Sequence, residues 1–92
     1  MRESIIEKHL VKRVKALGGE VRKVKWIGRR GAPDRLAMLP GMTLWVELKA
    51  TGIKAEAHQL REHKCMTDMG QQVVVVDSIE AIDQIIFNQG TK

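Results

Sequence analysis

Residues 31–49 constrain this chain more than any other stretch: Gly31-Ala32-Pro33-Asp34, a hydrophobic interval, a turn, a second hydrophobic run, then Glu47-Leu48-Lys49. Pro33 fixes its own φ and biases Ala32 towards extended conformations, so Asp34 opens a strand out of a stiff turn. Leu36 to Leu39 read as a short strand, Pro40-Gly41 as its turn, and Met42 to Lys49 as a second strand, which makes an antiparallel hairpin. Side chains alternate along a strand, so Glu47 and Lys49 share one face and Leu48 takes the other. The return of the hairpin brings Asp34 beside Glu47. Two carboxylates and one ammonium are therefore expected to converge at one end of a small sheet.

Such a cluster suits a hard cation. Mg²⁺ takes oxygen ligands, commonly one or two carboxylates with waters. At a phosphodiester the ion polarises a phosphoryl oxygen and helps deprotonate an attacking water, while Lys49 adds positive charge nearby.

The flanking sequence is expected to cover that hairpin with helices. Residues 3–17 read as a helix ended by Gly18-Gly19, with Ile6, Leu10, Val14 and Leu17 on one arc. Glu7 lies at the edge of that arc, either as a boundary carboxylate reaching solvent or a lysine, or as a third acidic group at the metal centre. Glu20 to Ile27 read as a strand with largely basic outward residues, Lys23 and Lys25 among them. Gly28-Arg29-Arg30-Gly31 reads as a flexible loop whose guanidinium groups either clamp phosphates or are simply solvated.

Ala55 to Met69 read as a helix stopped by Gly70. On it Gln59 shares a face with Ala55, His63 and Met66 and is expected to project towards the sheet. His58 and His63 are five apart, off the i,i+4 spacing of helical metal pairs, and read as surface or packing residues. His9 receives no role. The run Val73 to Val76 reads as a strand buried on both faces and parallel to 42–49, because a helical crossover joins them. Asp77 or Ser78 caps a last helix with Ile79, Ile82, Ile85 and Ile86 inward, and Asn88 to Lys92 are expected to fray.

Charge narrows the function. The net charge is +5, with 12 Lys/Arg against 5 Asp/Glu in residues 1–49 and 4 against 6 thereafter. A basic first half suits an anionic partner such as nucleic acid, the other reading being a generic solvated surface. Cys65 is the lone cysteine, so an intrachain disulfide and Cys-rich zinc sites are excluded. No stretch approaches the apolar length of a membrane span, and the N-terminal residues lack the apolar core of a secretory signal. A single domain over 1–92 and a cytoplasmic location (the host cytoplasm for a phage-encoded chain) are expected.

Pro33-Asp34 with Glu47-x-Lys49 resembles the PD-(D/E)XK nuclease motif. The Gly31-x-Pro33-Asp34 form, a first-helix Glu7, Gln59 and the Gly70 to Val76 run bring the resemblance closer to stand-alone VRR-NUC domains, across nearly the whole chain. Lys54 and His63 depart from that pattern, where a small polar residue and an aromatic are expected. The resemblance implies a restriction-endonuclease-like α/β sandwich of order αβββαβα, with a mixed sheet flanked by helices. It also implies an Mg²⁺- or Mn²⁺-dependent endonuclease acting on branched DNA such as four-way junctions or flaps. Asp34, Glu47 and the Leu48 carbonyl would hold the ion, Lys49 and Gln59 would handle the water, and Glu7 would assist through a water or a second ion. Lys23, Lys25, Arg29 and Arg30 would contact DNA. A two-fold homodimer is expected, with Phe87 and Ile5 as candidate contacts and no small-molecule cofactor or membrane partner. Two rivals remain at this point: a non-catalytic nucleic-acid-binding module of the same fold, and a small subunit that serves a protein partner.

Overall fold

The computed structural model describes residues 1–90, and side chains as far as Asn88. Its elements follow the order α1 (Glu3–Ala16), β1 (Glu20–Lys23), β2 (Arg35–Leu39), β3 (Met42–Leu48), α2 (Ala57–Asp68), β4 (Val73–Val76) and α3 (Ile79–Gly90). This is the expected αβββαβα order. The strands lie side by side as β1-β2-β3-β4, antiparallel as far as β3, with β4 parallel to β3.

The alternation of β3 divides the sheet into two chemically different faces. Leu44, Val46 and Leu48 are buried with Ala37, Leu39 and Val76 against Ile6, Leu10 and Val14 of α1 and Ile82 and Ile86 of α3. Trp45, Glu47 and Lys49 take the opposite face, which α2 covers in part. The main aliphatic cluster thus lies on the α1/α3 side, while Met66 of α2 is buried on the other. Truncating Ile6, which has no exposed surface, would cost about 2–5 kcal/mol. The two helices are also clamped by charge: His9 Nε2 and Arg13 Nη1 approach Asp83 Oδ1 at 2.6 and 2.7 Å. His9, left without a role by its sequence context, is therefore a helix-pairing residue.

The two-residue turn at Pro40-Gly41 sets the hairpin register. Gly41 has φ 82°, and proline followed by a glycine of positive φ is the type II signature. Leu39 then faces Met42 and Arg35 faces Val46, so Asp34 continues the ladder opposite Glu47.

Several expectations need correction. β1 ends at Lys23 rather than Ile27; one further ladder bond, Val24 N to Asp34 O at 3.0 Å, follows before the chain leaves the sheet. β4 is an edge strand, and Val75 is 41% exposed there. An unbroken valine run therefore marks β-branched stiffness here, not burial on two faces. Leu17 is 43% exposed, since α1 ends at Ala16 and Leu17 turns away at its C-cap. α2 is shorter at each end than expected, and Ser78, not Asp77, caps α3 by accepting from Ala81 N at 3.0 Å. Asp77 instead accepts from Gly52 N at 3.1 Å. Of the stretch expected to fray, residues 88–90 continue α3, and Thr91 and Lys92 lie outside the described residues. Among the described residues no helix is long and apolar enough to cross a membrane.

Candidate active site

The hairpin delivers Asp34, Glu47 and Lys49 to one end of the sheet. Asp34 Oδ2 accepts from the main-chain N of Leu48 at 2.8 Å. That bond replaces the ladder bond the strand would have made beyond Arg35, so main-chain register orients the carboxylate. The neighbouring Lys49 N donates to Val76 O at 3.0 Å, on the β4 side. Leu48 therefore turns its peptide groups towards Asp34, as alternation along a strand requires.

Glu47 is 1% exposed. Gln59 Nε2 donates to its Oε2 at 2.9 Å, and Lys49 Nζ stands 3.5 Å from the same oxygen. Its other oxygen, Oε1, is buried and hydrogen-bonded to nothing. Burial first, then the charge of Asp34, pushes the Glu47 carboxyl up to about 7, against the opposing pull of Lys49. A buried carboxylate with a free lone pair, beside a second carboxylate and an ammonium, is the donor set a hard cation completes.

Gln59 reaches Glu47 because of how α2 begins. Its Oε1 accepts from Glu56 N at 2.8 Å at the helix start, which leaves the amide nitrogen aimed at the sheet. One turn later His63 is buried with Nε2 3.8 Å from Glu47 Oε1, and that nitrogen too lacks a hydrogen bond. Desolvation holds the imidazole below its ordinary range, so it is neutral at pH 7. His63 is thus not a surface residue. It is the packing alternative, on the inward face it was expected to share with Gln59. His58 lies apart, 3.4 Å from Glu56.

The structure does not bring Glu7 against the carboxylate pair. Its Oε2 accepts from both Nε and Nη2 of Arg35, and the pair lines a cleft of about 320 Å³ with Glu3, Ser4 and Leu48. Arg35, one residue after Asp34 and on the α1 face, is the partner the sequence reading overlooked. Among the described residues no three His, Cys, Asp or Glu side chains form a metal-holding group.

Nor is the loop before Asp34 loose. Glu62 of α2, 7% exposed, accepts from Trp26 Nε1 at 2.6 Å and from Arg29 Nε at 2.8 Å. The hydrogen bond from Arg29 holds this carboxyl below the usual range. Gly31 has φ 95°, and a Cβ there would lie 2.7 Å from His58 O and 2.8 Å from Glu62 Cβ. Only glycine lets the loop close on α2. Lys23, Lys25 and Arg30 are exposed beside it, and Arg29 remains 63% exposed despite its pairing.

No family model matches the chain. Individual proteins do. The chain is 51% identical over 79 residues to "Putative nuclease p44" of Acyrthosiphon pisum secondary endosymbiont phage 1, covering 85% of each. It also superimposes on a solved structure titled "VRR_NUC domain" with a TM-score of 0.85 and 40% identity, over 94% of this chain and 96% of that one. Coverage and identity at these levels, on a site whose hairpin carries Asp34, Glu47 and Lys49 together, place the chain in the VRR-NUC family.

Proposed function

We propose that the domain is a divalent-metal-dependent DNA endonuclease that favours branched DNA. The observation that carries this reading is Glu47 Oε1, buried and unpartnered in a site that already holds Asp34 and Lys49. Asp34, Glu47 and the Leu48 carbonyl would hold Mg²⁺ or Mn²⁺, and Glu7 would join through a water or a second ion from the cleft it shares with Leu48. Such an ion, when bound, polarises a phosphoryl oxygen and acidifies water.

The chain supplies the rest. Lys49, 16% exposed, offsets negative charge developing on the phosphoryl oxygens in a setting where water screens it little. Gln59 holds Glu47 in one rotamer. His63 and the sheet keep bulk water from the inner side of the carboxylate. Lys23, Lys25, Arg29 and Arg30 bind phosphates and so position DNA without reading its sequence. Discrimination among DNA shapes needs two contact surfaces at a fixed spacing, which a two-fold homodimer provides. Ile5 and Phe87, 46% and 65% exposed, are the apolar contacts available for it.

The test is cleavage of linear duplex, a flap and a four-way junction in Mg²⁺, Mn²⁺ and EDTA, with light scattering on the same sample. Cleavage in either metal, none in EDTA, faster turnover of branched DNA and a dimer mass are expected. Failure to cut any of the three with either metal overturns the enzyme reading. A strict monomer that cuts linear DNA as fast as junctions overturns the dimer and the shape preference.

A further inference from the structure

We infer that Ile27 is a wedge that enters the DNA base stack beside the cut. The inference rests on the DNA-cleavage reading and adds to it a residue that selects interrupted helices.

Ile27 is 96% exposed, more than any other large apolar side chain among the described residues. Leaving an isoleucine in water forgoes the stabilisation that burial gives an aliphatic side chain. A single exposed apolar residue is ordinary on a mobile loop. This one is held out by its neighbours. Trp26 before it and Arg29 after it both donate to the one carboxylate of Glu62, at 2.6 and 2.8 Å. Trp26 also packs edge-on against Trp45, ring centroids 5.7 Å apart. Residues 27 and 28 thus form the crown of a small arch with both feet on one buried group. Gly28 turns the crown with φ 79°, and nothing lies within 4 Å of where its Cβ would be.

The surroundings of the crown fit DNA. Lys25, Arg29 and Arg30 flank Ile27 within five positions and are exposed, which suits phosphates on either side of an inserted aliphatic group. Architectural DNA-binding proteins use the same chemistry: cations hold the backbone while an apolar side chain parts a base step. Unstacking costs least where pairing is already broken, so a wedge favours branches and ends over intact duplex. The arch also lies next to the chemistry. Its anchor Glu62 precedes His63, which faces Glu47, and Trp45 lies on the same β3 face two residues before Glu47.

The experiment uses a four-way junction and a linear duplex carrying 2-aminopurine at the branch or the matching position, titrated in EDTA with wild type, Ile27→Leu and Ile27→Ala. Because Ile27 is exposed, all three proteins should melt at the same temperature. Wild type and Ile27→Leu should raise 2-aminopurine fluorescence on the junction several-fold. Ile27→Ala should leave it near the free-DNA level and bind the junction about tenfold more weakly, the contribution of one inserted aliphatic side chain. In Mg²⁺ the ratio of junction to linear cleavage should fall for Ile27→Ala. Equal fluorescence for Ile27→Ala and wild type overturns the wedge. So does a wild type that cuts DNA without changing the fluorescence, which leaves the nuclease reading standing. Fluorescence that rises and depends on Ile27, in a protein that cuts nothing, supports the wedge and overturns the nuclease reading.

Discussion

His63 and Glu47 face each other across 3.8 Å, Nε2 to Oε1, both atoms buried and neither hydrogen-bonded. The gap is too long for a hydrogen bond and too dry for bulk water. A carboxylate kept in this condition is unfavourable in the metal-free protein, and relief comes from a cation or a proton.

That tension should be measurable as stability. The Glu47 carboxyl titrates at about 7 in the fold against an ordinary value of 4.5. Because the folded value is the higher one, the unfolded chain gives up this proton first, and stability falls as pH rises from about 4.5 through 7. Glu47→Gln removes the penalty while keeping an acceptor for Gln59. In EDTA at pH 8 the variant should melt higher, by at most about 3 kcal/mol of stability, and at pH 4 it should match wild type. A variant that melts lower than wild type at pH 8 contradicts this account.

For activity the carboxylates behave differently. Asp34→Ala or Glu47→Ala should abolish cleavage, since each removes an oxygen donor. Most DNA affinity should survive, because phosphate contacts come from the basic loop and β1. Gel shifts in EDTA beside cleavage in Mg²⁺ check both halves. Asp34→Ala also leaves Leu48 N without its 2.8 Å acceptor and should lower the melting temperature.

Lys49→Ala should slow cleavage about 10²-fold or more, the usual effect of removing one charge-stabilising donor from an enclosed site. Lys49→Arg should recover only part, because a planar fork cannot replace a compact ammonium 3.5 Å from Glu47. Single-turnover rates at saturating metal decide it, and a wild-type rate for Lys49→Ala removes this residue from the mechanism.

Far from the site, Asp83 joins α3 to α1 through His9 and Arg13, and its hydrogen bond from His9 holds its carboxyl below the usual range. A depressed folded value means that the stabilisation is present above the ordinary value near 3.8 and is lost as pH falls through the folded one. Asp83→Asn should therefore lower the melting temperature at pH 6, with the difference closing in strong acid and shrinking in salt. A difference constant from pH 6 to pH 2 would show that the effect is steric.

Local rules made much of this molecule readable before its structure. Turn chemistry at Pro33 and Pro40-Gly41, with period-two alternation, was enough to oppose Asp34 to Glu47 and put Lys49 beside them. What local rules missed was partner choice. Glu7 sat at the rim of a helical stripe, but nothing near it in sequence announced Arg35, 28 residues on. Nothing in the sequence around Glu62 announces Trp26 and Arg29, which the folded loop binds to it. The inward face of α2 was legible at Gln59 and His63, but the approach of His63 to Glu47 was not. The valines of β4 do not report coverage, because residue type expresses backbone preference while exposure follows from the edge position of the strand.

The two-residue turn between Leu39 and Met42 has a consequence for how this gene can vary. Bends outside the hairpin carry no such register: a residue inserted there leaves Asp34 opposite Glu47. At Pro40-Gly41 a slip of one position would carry Glu47 and Lys49 through the sheet to the aliphatic side and bring Leu48 out in their place. Length polymorphism among functional descendants should therefore cluster in the outer bends and spare this turn, which acts as the ruler for everything the hairpin holds.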